Sequence, residues 1–171
     1  MRNSLATAAL FLLLAAGFAA PAAARGVYGW VEFVELHLNG QPLKLKAKLD
    51  TGARSSSLDA LDIEPFDRDG QPWVRFRVSL PGLEQSAVME QPVVRHVRIK
   101  RHSGASDRRP VVRVSLCLGD EMRSIDVSLA DRGRFIYPLL LGRKALAHVA
   151  VVDPGRTFLQ DPNCESAPRA E

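Results

Sequence analysis

Lys48-Leu49-Asp50-Thr51-Gly52-Ala53-Arg54 is the stretch on which the reading of this chain turns. It ends a run in which Leu43, Leu45, Ala47 and Leu49 alternate with Lys44, Lys46 and Lys48. A period of two marks a half-buried strand. That strand delivers an aspartate, a small hydroxyl residue and a glycine into a tight turn. There Asp50 accepts hydrogen bonds, Thr51 can supply a hydroxyl, and Gly52 allows a positive φ and a close backbone approach. Asp-x-Gly triplets are also common loop punctuation, so the triplet alone leaves a plain turn open.

Outward from the turn, the chain reads as a series of short strands. Val27 to Leu38 predicts one, closed by the hairpin signal Asn39-Gly40 ahead of Leu43 to Leu49. Ser55 to Leu61 reads as a strand leaving the turn, its three serines either supporting the carboxylate or forming a polar edge. After a turn at Asp67 to Gly70, Trp73 to Leu80 alternates, and Pro81-Gly82 breaks it. Pro92 opens a strand from Val93 to Lys100, and His102 to Arg109 reads as a polar loop. Val111 to Leu118 puts Val112, Val114, Leu116 and Leu118 on one face. Gly119-Asp120 then turns into Met122 to Leu129, with Ile125, Val127 and Leu129 inside and Asp126 and Ser128 outside. Asp131 to Arg134 is a loop. Leu139 to Leu141 is a continuous apolar run, as expected of a strand buried on both faces. Gly142 ends it, Arg143 to Ala147 predicts a short helix, Val149 to Val152 another buried strand and Thr157 to Leu159 a last one. Eight or more short strands with almost no helical periodicity indicate an all-β barrel with at most one short helix.

The nine residues Asp50-Thr51-Gly52-Ala53-Arg54-Ser55-Ser56-Ser57-Leu58 resemble the signature of the bacterial retropepsin-like family historically labelled "ATP-dependent zinc protease". Other segments resemble it in the same order: Gly29-Trp30-Val31-Glu32, Trp73-Val74-Arg75-Phe76, Arg109-Pro110-Val111-Val112, Leu139-Leu140-Leu141-Gly142-Arg143 and Val152-Asp153-Pro154. The resemblance implies a closed acid-protease-like β-barrel in which Leu140-Leu141-Gly142 passes behind the catalytic loop. It implies catalytic roles for Asp50, Thr51 and Gly52, substrate-binding roles for Ala53, Arg54 and Arg143, and neither metal nor cofactor. Aspartic proteases need two carboxylates sharing a proton, because like charges about 3 Å apart cannot both ionise. With one Asp-Thr-Gly per chain, the resemblance implies an aspartic endopeptidase that is active as a homodimer. Relatives are associated with ATP-grasp glutamate ligases, which hints at a functional link and at acidic or isopeptide-linked peptide or protein substrates. One departure stands out: many members carry histidine after the serine-leucine pair, and here that place is Asp59. The rival reading is a non-catalytic β-barrel binding module of the cell envelope that kept the protease fold.

The termini and the composition set the remaining expectations. Residues 1 to 24 read as a signal peptide, with Arg2, an apolar run from Leu5 to Phe18 and the small triplet Ala22-Ala23-Ala24. Leu5 to Ala24 is also long enough to span a membrane, but Pro21 and the triplet favour cleavage and a periplasmic or secreted protein. Residues 25–161 then form one protease-like domain and 162–171 a polar tail. Outside the leader, 22 Lys and Arg face 19 Asp and Glu, a mild excess of three. It is concentrated in Arg95, Arg98, Lys100, Arg101, Arg108, Arg109 and Arg113, which have only Asp107 among them. That run lacks the aromatic residues that stack on bases, which argues against nucleic acid. It is either a solvated strand face or a surface flanking the cleft that draws acidic substrates. His37, His96, His102 and His148 stand at no ligand spacing, His-Glu-x-x-His is missing, and so is a Gly-x-Ser-x-Gly elbow. Cys117 and Cys164 cannot build a structural zinc site by themselves, and in an exported protein they are free to pair or to stay apart.

Overall fold

The computed structural model describes residues 25–38, 40–78, 87–99 and 106–164. The leader, Asn39, the Pro81-Gly82 break and the end of the tail lie outside these. Among the described residues, eleven strands and one helix follow in chain order: β1 Gly26–Gly29, β2 Val31–Leu38, β3 Gln41–Asp50, β4 Ser56–Asp59, β5 Leu61–Arg68, β6 Gln71–Val78, β7 Ala87–Ile99, β8 Asp107–Leu118, β9 Glu121–Ala130, β10 Leu139–Gly142, α1 Arg143–Leu146 and β11 Ala150–Asp153. The sheet order β2-β3-β10-β4-β9-β8 closes on itself because β2 also pairs with β8, giving a six-stranded barrel. Strands β7, β6 and β5 continue from β8 as an extension, and β1 and β11 form a separate parallel pair. The all-β barrel expected from the sequence is the observed fold.

Alternation fills the barrel. Leu45, Ala47 and Leu49 of β3 point inward, as do Val112, Val114, Leu116 and Leu118 of β8 and Ile125, Val127 and Leu129 of β9. Leu139 and Leu141 are fully buried. The strand that carries them, β10, is inserted between β3 and β4. It runs parallel to β3, with Gly142 opposite Asp50, and antiparallel to β4. A short apolar strand can sit there because it has ladder partners on both sides.

Several expectations fail for local reasons. Ser128, expected outside, is buried because its hydroxyl donates to the Ser56 carbonyl at 3.1 Å. Strand β7 starts well before Pro92 and switches partners there. Residues up to Pro92 pair with β6, and those from Val93 pair with β8. Proline lacks the N–H a continuous ladder would need, so it falls at the switch. Asp107 to Arg109, read as loop, belong to β8 opposite Val97 to Ile99. Strand β5 was not expected; it is an edge strand with a register shift between Leu61 and Glu64, so its alternation is weak. Strand β11 is only partly buried, with Val151 48% exposed, because it pairs with β1 alone.

Thr157 to Leu159 is not a strand. It is held by Phe158 N–H on the Val31 carbonyl and by buried Glu32, whose carboxylate accepts the N–H groups of Gly29, Leu159 and Gln160. Beyond it, Cys164 forms a disulfide with Cys117 of β8, closing a loop of 47 residues.

Candidate active site

Asp50 is the last residue of β3, and the turn after it folds back onto its own carboxylate. Oδ1 accepts the N–H of Gly52 at 2.9 Å and that of Ala53 at 3.1 Å. Lys48, two residues earlier on the same strand face, places Nζ 3.3 Å from Oδ2. Partial desolvation pushes the Asp50 pKa up. The hydrogen bond from Ala53, then the bond and charge of Lys48 and the hydrogen bond from Gly52 outweigh it, and the carboxyl lies below its ordinary range. Within this chain Asp50 is therefore an ionised acceptor at neutral pH.

Of the two properties expected of Gly52, the close approach is present and the positive φ is not. Its demand is steric: a Cβ would stand 3.1 Å from Asp50 Oδ1. Thr51 is exposed, and its carbonyl is what ties it to the site.

β10 and α1 brace the turn from behind. Arg143 Nη1 donates to the carbonyls of Thr51 and Gly52 at 2.9 and 2.8 Å. The backbone N–H groups of Arg143 and Lys144 donate to the carbonyls of Ala53 and Arg54. Gly142 N–H donates to Ser56 Oγ at 3.2 Å, which ties this serine to β10 rather than to the Asp50 carboxylate. Gly142 also lies so close to Ser55 that a Cβ would meet its backbone at 2.6 to 2.8 Å. The structure thus brings Asp50, Thr51, Gly52, Ala53, Arg54 and Arg143 into one cluster. Both arginines are exposed; Arg143 differs in that its guanidinium is bonded to the turn carbonyls.

A cavity of about 470 Å³ opens beside Asp50. Its far wall is the loop between β9 and β10, which contributes Arg132, Arg134, Phe135, Ile136 and Tyr137, with Trp30, Lys48 and Leu140 completing the lining. Trp30 and Tyr137 meet edge to face, ring centres 5.8 Å apart. Asp59 fixes this loop at both ends: its Oδ1 accepts Arg132 N–H, and its own N–H donates to the Pro138 carbonyl. The departure from the family's histidine is therefore a buried loop anchor. The sequence predicts only a plain loop over Asp131 to Arg134, and its position between Ala130 and the buried β10 is the signal available there.

The basic run is only partly beside this site. Arg95 and Arg113 both meet Asp126, at 3.6 and 3.0 Å, and line a separate cavity of about 380 Å³ with Ser55 and Lys144. Asp50 is not among its lining residues. Among the described residues, no three His, Cys, Asp or Glu side chains could together hold a metal ion, and no helix is long and apolar enough to cross a membrane.

Comparison with known proteins places this geometry. The profile of the RimB-like family, described as "Retropepsin-like aspartic endopeptidase RimB", matches residues 27–163. A protein of Shewanella pealeana named "Probable alpha-L-glutamate ligase" is 35% identical over 116 residues, 67% of this chain and 25% of that protein. A protein of the same name from Desulfotalea psychrophila is 36% identical over 127 residues, 73% of this chain and 26% of that protein. The chain thus spans about a quarter of the length of the curated relatives it matches. The crystal structure of Lpg0085, a protein of unknown function from Legionella pneumophila, superposes with a TM-score of 0.67 at 41% identity, covering 80% of this chain and 98% of that one.

Proposed function

We propose that this chain, which belongs to the RimB-like family of retropepsin-like aspartic endopeptidases, is an exported peptidase whose catalytic pair is two copies of Asp50 joined by homodimerisation. The observation that carries this is the Asp50 turn. An ionised carboxylate at the edge of a cavity is held by two backbone N–H groups, and its turn is braced from behind by Gly142 and Arg143. In the proposed reaction one Asp50 is ionised and the other protonated. The ionised carboxylate takes a proton from water as the water oxygen attacks the scissile carbonyl. The protonated one donates to the carbonyl oxygen, giving a tetrahedral diol. Transfer of a proton to the nitrogen then breaks the C–N bond and releases a carboxylic acid and an amine.

Two observations support finer points. The matched relatives carry the name of glutamate ligases, which favours glutamate-linked acidic peptides as substrates. The Cys117–Cys164 disulfide suits an oxidising compartment and so supports export. The same relatives also support a second reading, a non-catalytic module, because the matched segment is a minor part of proteins named for another reaction.

Hydrolysis of a peptide library by wild type and Asp50→Asn across pH tests the first reading, with the solution mass of each recorded. Cleavage by a dimeric wild type, abolished in Asp50→Asn, supports it. Equal cleavage by both removes Asp50 from the mechanism, and no cleavage by either favours the binding module.

A further inference from the structure

Arg132 is 9% exposed, and its Nε makes no hydrogen bond among the described residues. A guanidinium is rarely buried without partners, because each buried N–H gives up water. Desolvation lowers its pKa, the charge of Asp59 opposes this, and Arg109 adds to it. Its guanidinium lies 4.5 Å from the centre of the exposed Phe135 ring and feels the charge of Asp59, but the hydrogen bond to Asp59 comes from the Arg132 backbone N–H, which leaves Nε for an incoming acceptor. The same residue lines the cavity that holds Asp50.

The cavity as a whole is asymmetric in charge. Lys48, Arg132 and Arg134 face a single carboxylate, Asp50, and Lys48 is already beside that carboxylate at 3.3 Å. The rest of the lining is apolar, from Trp30, Phe135, Ile136, Tyr137 and Leu140. An apolar wall beside a guanidinium whose buried Nε lacks a partner suits a side chain that has methylenes and ends in a carboxylate.

We infer that this cavity is a side-chain pocket for a carboxylate of a bound peptide, and that Arg132 is the group that recognises it. Asp59 is then a positioning residue, since it fixes the Arg132 backbone and the far end of the loop. The inference rests on the peptidase reading for the presence of a peptide beside Asp50, and it adds the residue that sets the preference.

The test is a binding measurement, so that it does not depend on turnover. N-acetylated, C-terminally amidated tetraglutamate and tetraglutamine are titrated into Asp50→Asn protein, which leaves side-chain carboxylates as the sole difference between the peptides. Tetraglutamate should bind at least about tenfold more tightly, the range of one charge-assisted hydrogen bond. Arg132→Gln in that background should bring the two affinities within about twofold, and Arg132→Lys should keep an intermediate preference. A preference unchanged in Arg132→Gln, equal affinity for both peptides in the parent, or binding of neither overturns the inference. If Arg132→Gln does not fold, Arg132→Lys decides: a preference equal to the parent's overturns it, and a reduced one supports it. Loss of hydrolysis in wild type, with the glutamate preference intact, would instead count against the peptidase reading alone.

Discussion

Gly142→Ala probes the packing of the Asp50 turn, because Gly142 lies opposite Asp50 in the β3–β10 ladder. Its φ of −91° suits any residue, so conformational strain does not enter. The added methyl meets the Ser55 backbone oxygen, carbonyl carbon and nitrogen at 2.6, 2.7 and 2.8 Å. Ordinary contact begins near 3.4 Å, so β10 or the turn must yield by about 0.8 Å. Neither yields easily: Gly142 N–H is bonded to Ser56, and the Arg143 and Lys144 N–H groups to Ala53 and Arg54. Overpacking against backbone costs about 3 kcal/mol, and replacing glycine returns about 0.4–1 kcal/mol through the unfolded chain. The net loss is about 2 kcal/mol, or roughly 4–8 °C in Tm for a domain of this size. Displacing a catalytic group by close to 1 Å lowers turnover on the order of a hundredfold. Urea denaturation and peptide hydrolysis measure the two effects separately. A variant with the wild-type denaturation midpoint and rate would refute the claim that β10 positions Asp50 by close contact.

The remaining predictions concern charge and covalent closure. Lys48→Met removes a cation that helps hold the Asp50 carboxyl below its ordinary range. The acidic limb of the activity profile should therefore move to higher pH, and a pH–rate profile identical to wild type would discount Lys48. By linkage, a lowered carboxyl adds stability above the unfolded value near 3.9 and loses it as pH falls through the folded value. The stability difference between Lys48→Met and wild type should accordingly be present at neutral pH and fade below about pH 4, which denaturation at several pH values reports. Opening the Cys117–Cys164 loop of 47 residues, by replacing both cysteines with alanine, should cost up to about 4 kcal/mol in the chain-entropy model. Urea denaturation measures that loss, and two free thiols in denatured, unreduced wild-type protein would show that the bond is not made.

The parts of the fold legible in the sequence are those in which one face of a strand is buried. Leu45, Ala47 and Leu49, or Val112, Val114 and Leu116, alternate because a pleated strand presents every second side chain to the barrel. The inserted strand is legible as a continuous apolar run because Leu139 and Leu141 fill the barrel while Leu140, on the other face and only partly buried, lines the cavity beside Asp50. Where burial was supplied by something other than a sheet face, the pattern failed. The segment around Phe158 is fixed by the Glu32 carboxylate, and no periodicity announces a buried acid 127 positions away. Asp59 and Arg132 meet across 73 residues. In sequence the first looked like a missing histidine and the second like loop charge. The Asp50 turn was legible as a motif, yet its glycine is needed for space rather than for φ, a distinction that depends on the carboxylate folding back over it.

That inward fold of the carboxylate explains why a second copy matters to the proposed chemistry. Two backbone N–H groups and Lys48 make a lone Asp50 a stable anion. A stable anion accepts a proton from water poorly and has none to give to a carbonyl oxygen. A second Asp50 at about 3 Å changes both properties, since one ionised carboxylate disfavours ionisation of the other and the pair retains a shared proton to higher pH. The donors that depress Asp50 in one protomer then have a purpose in the pair. They keep the first ionisation complete while the second is resisted, so that one base and one acid coexist over the same pH range. The turn geometry of a single chain is thus suited to half of a dyad, and it is the like charge of a partner that would make it reactive.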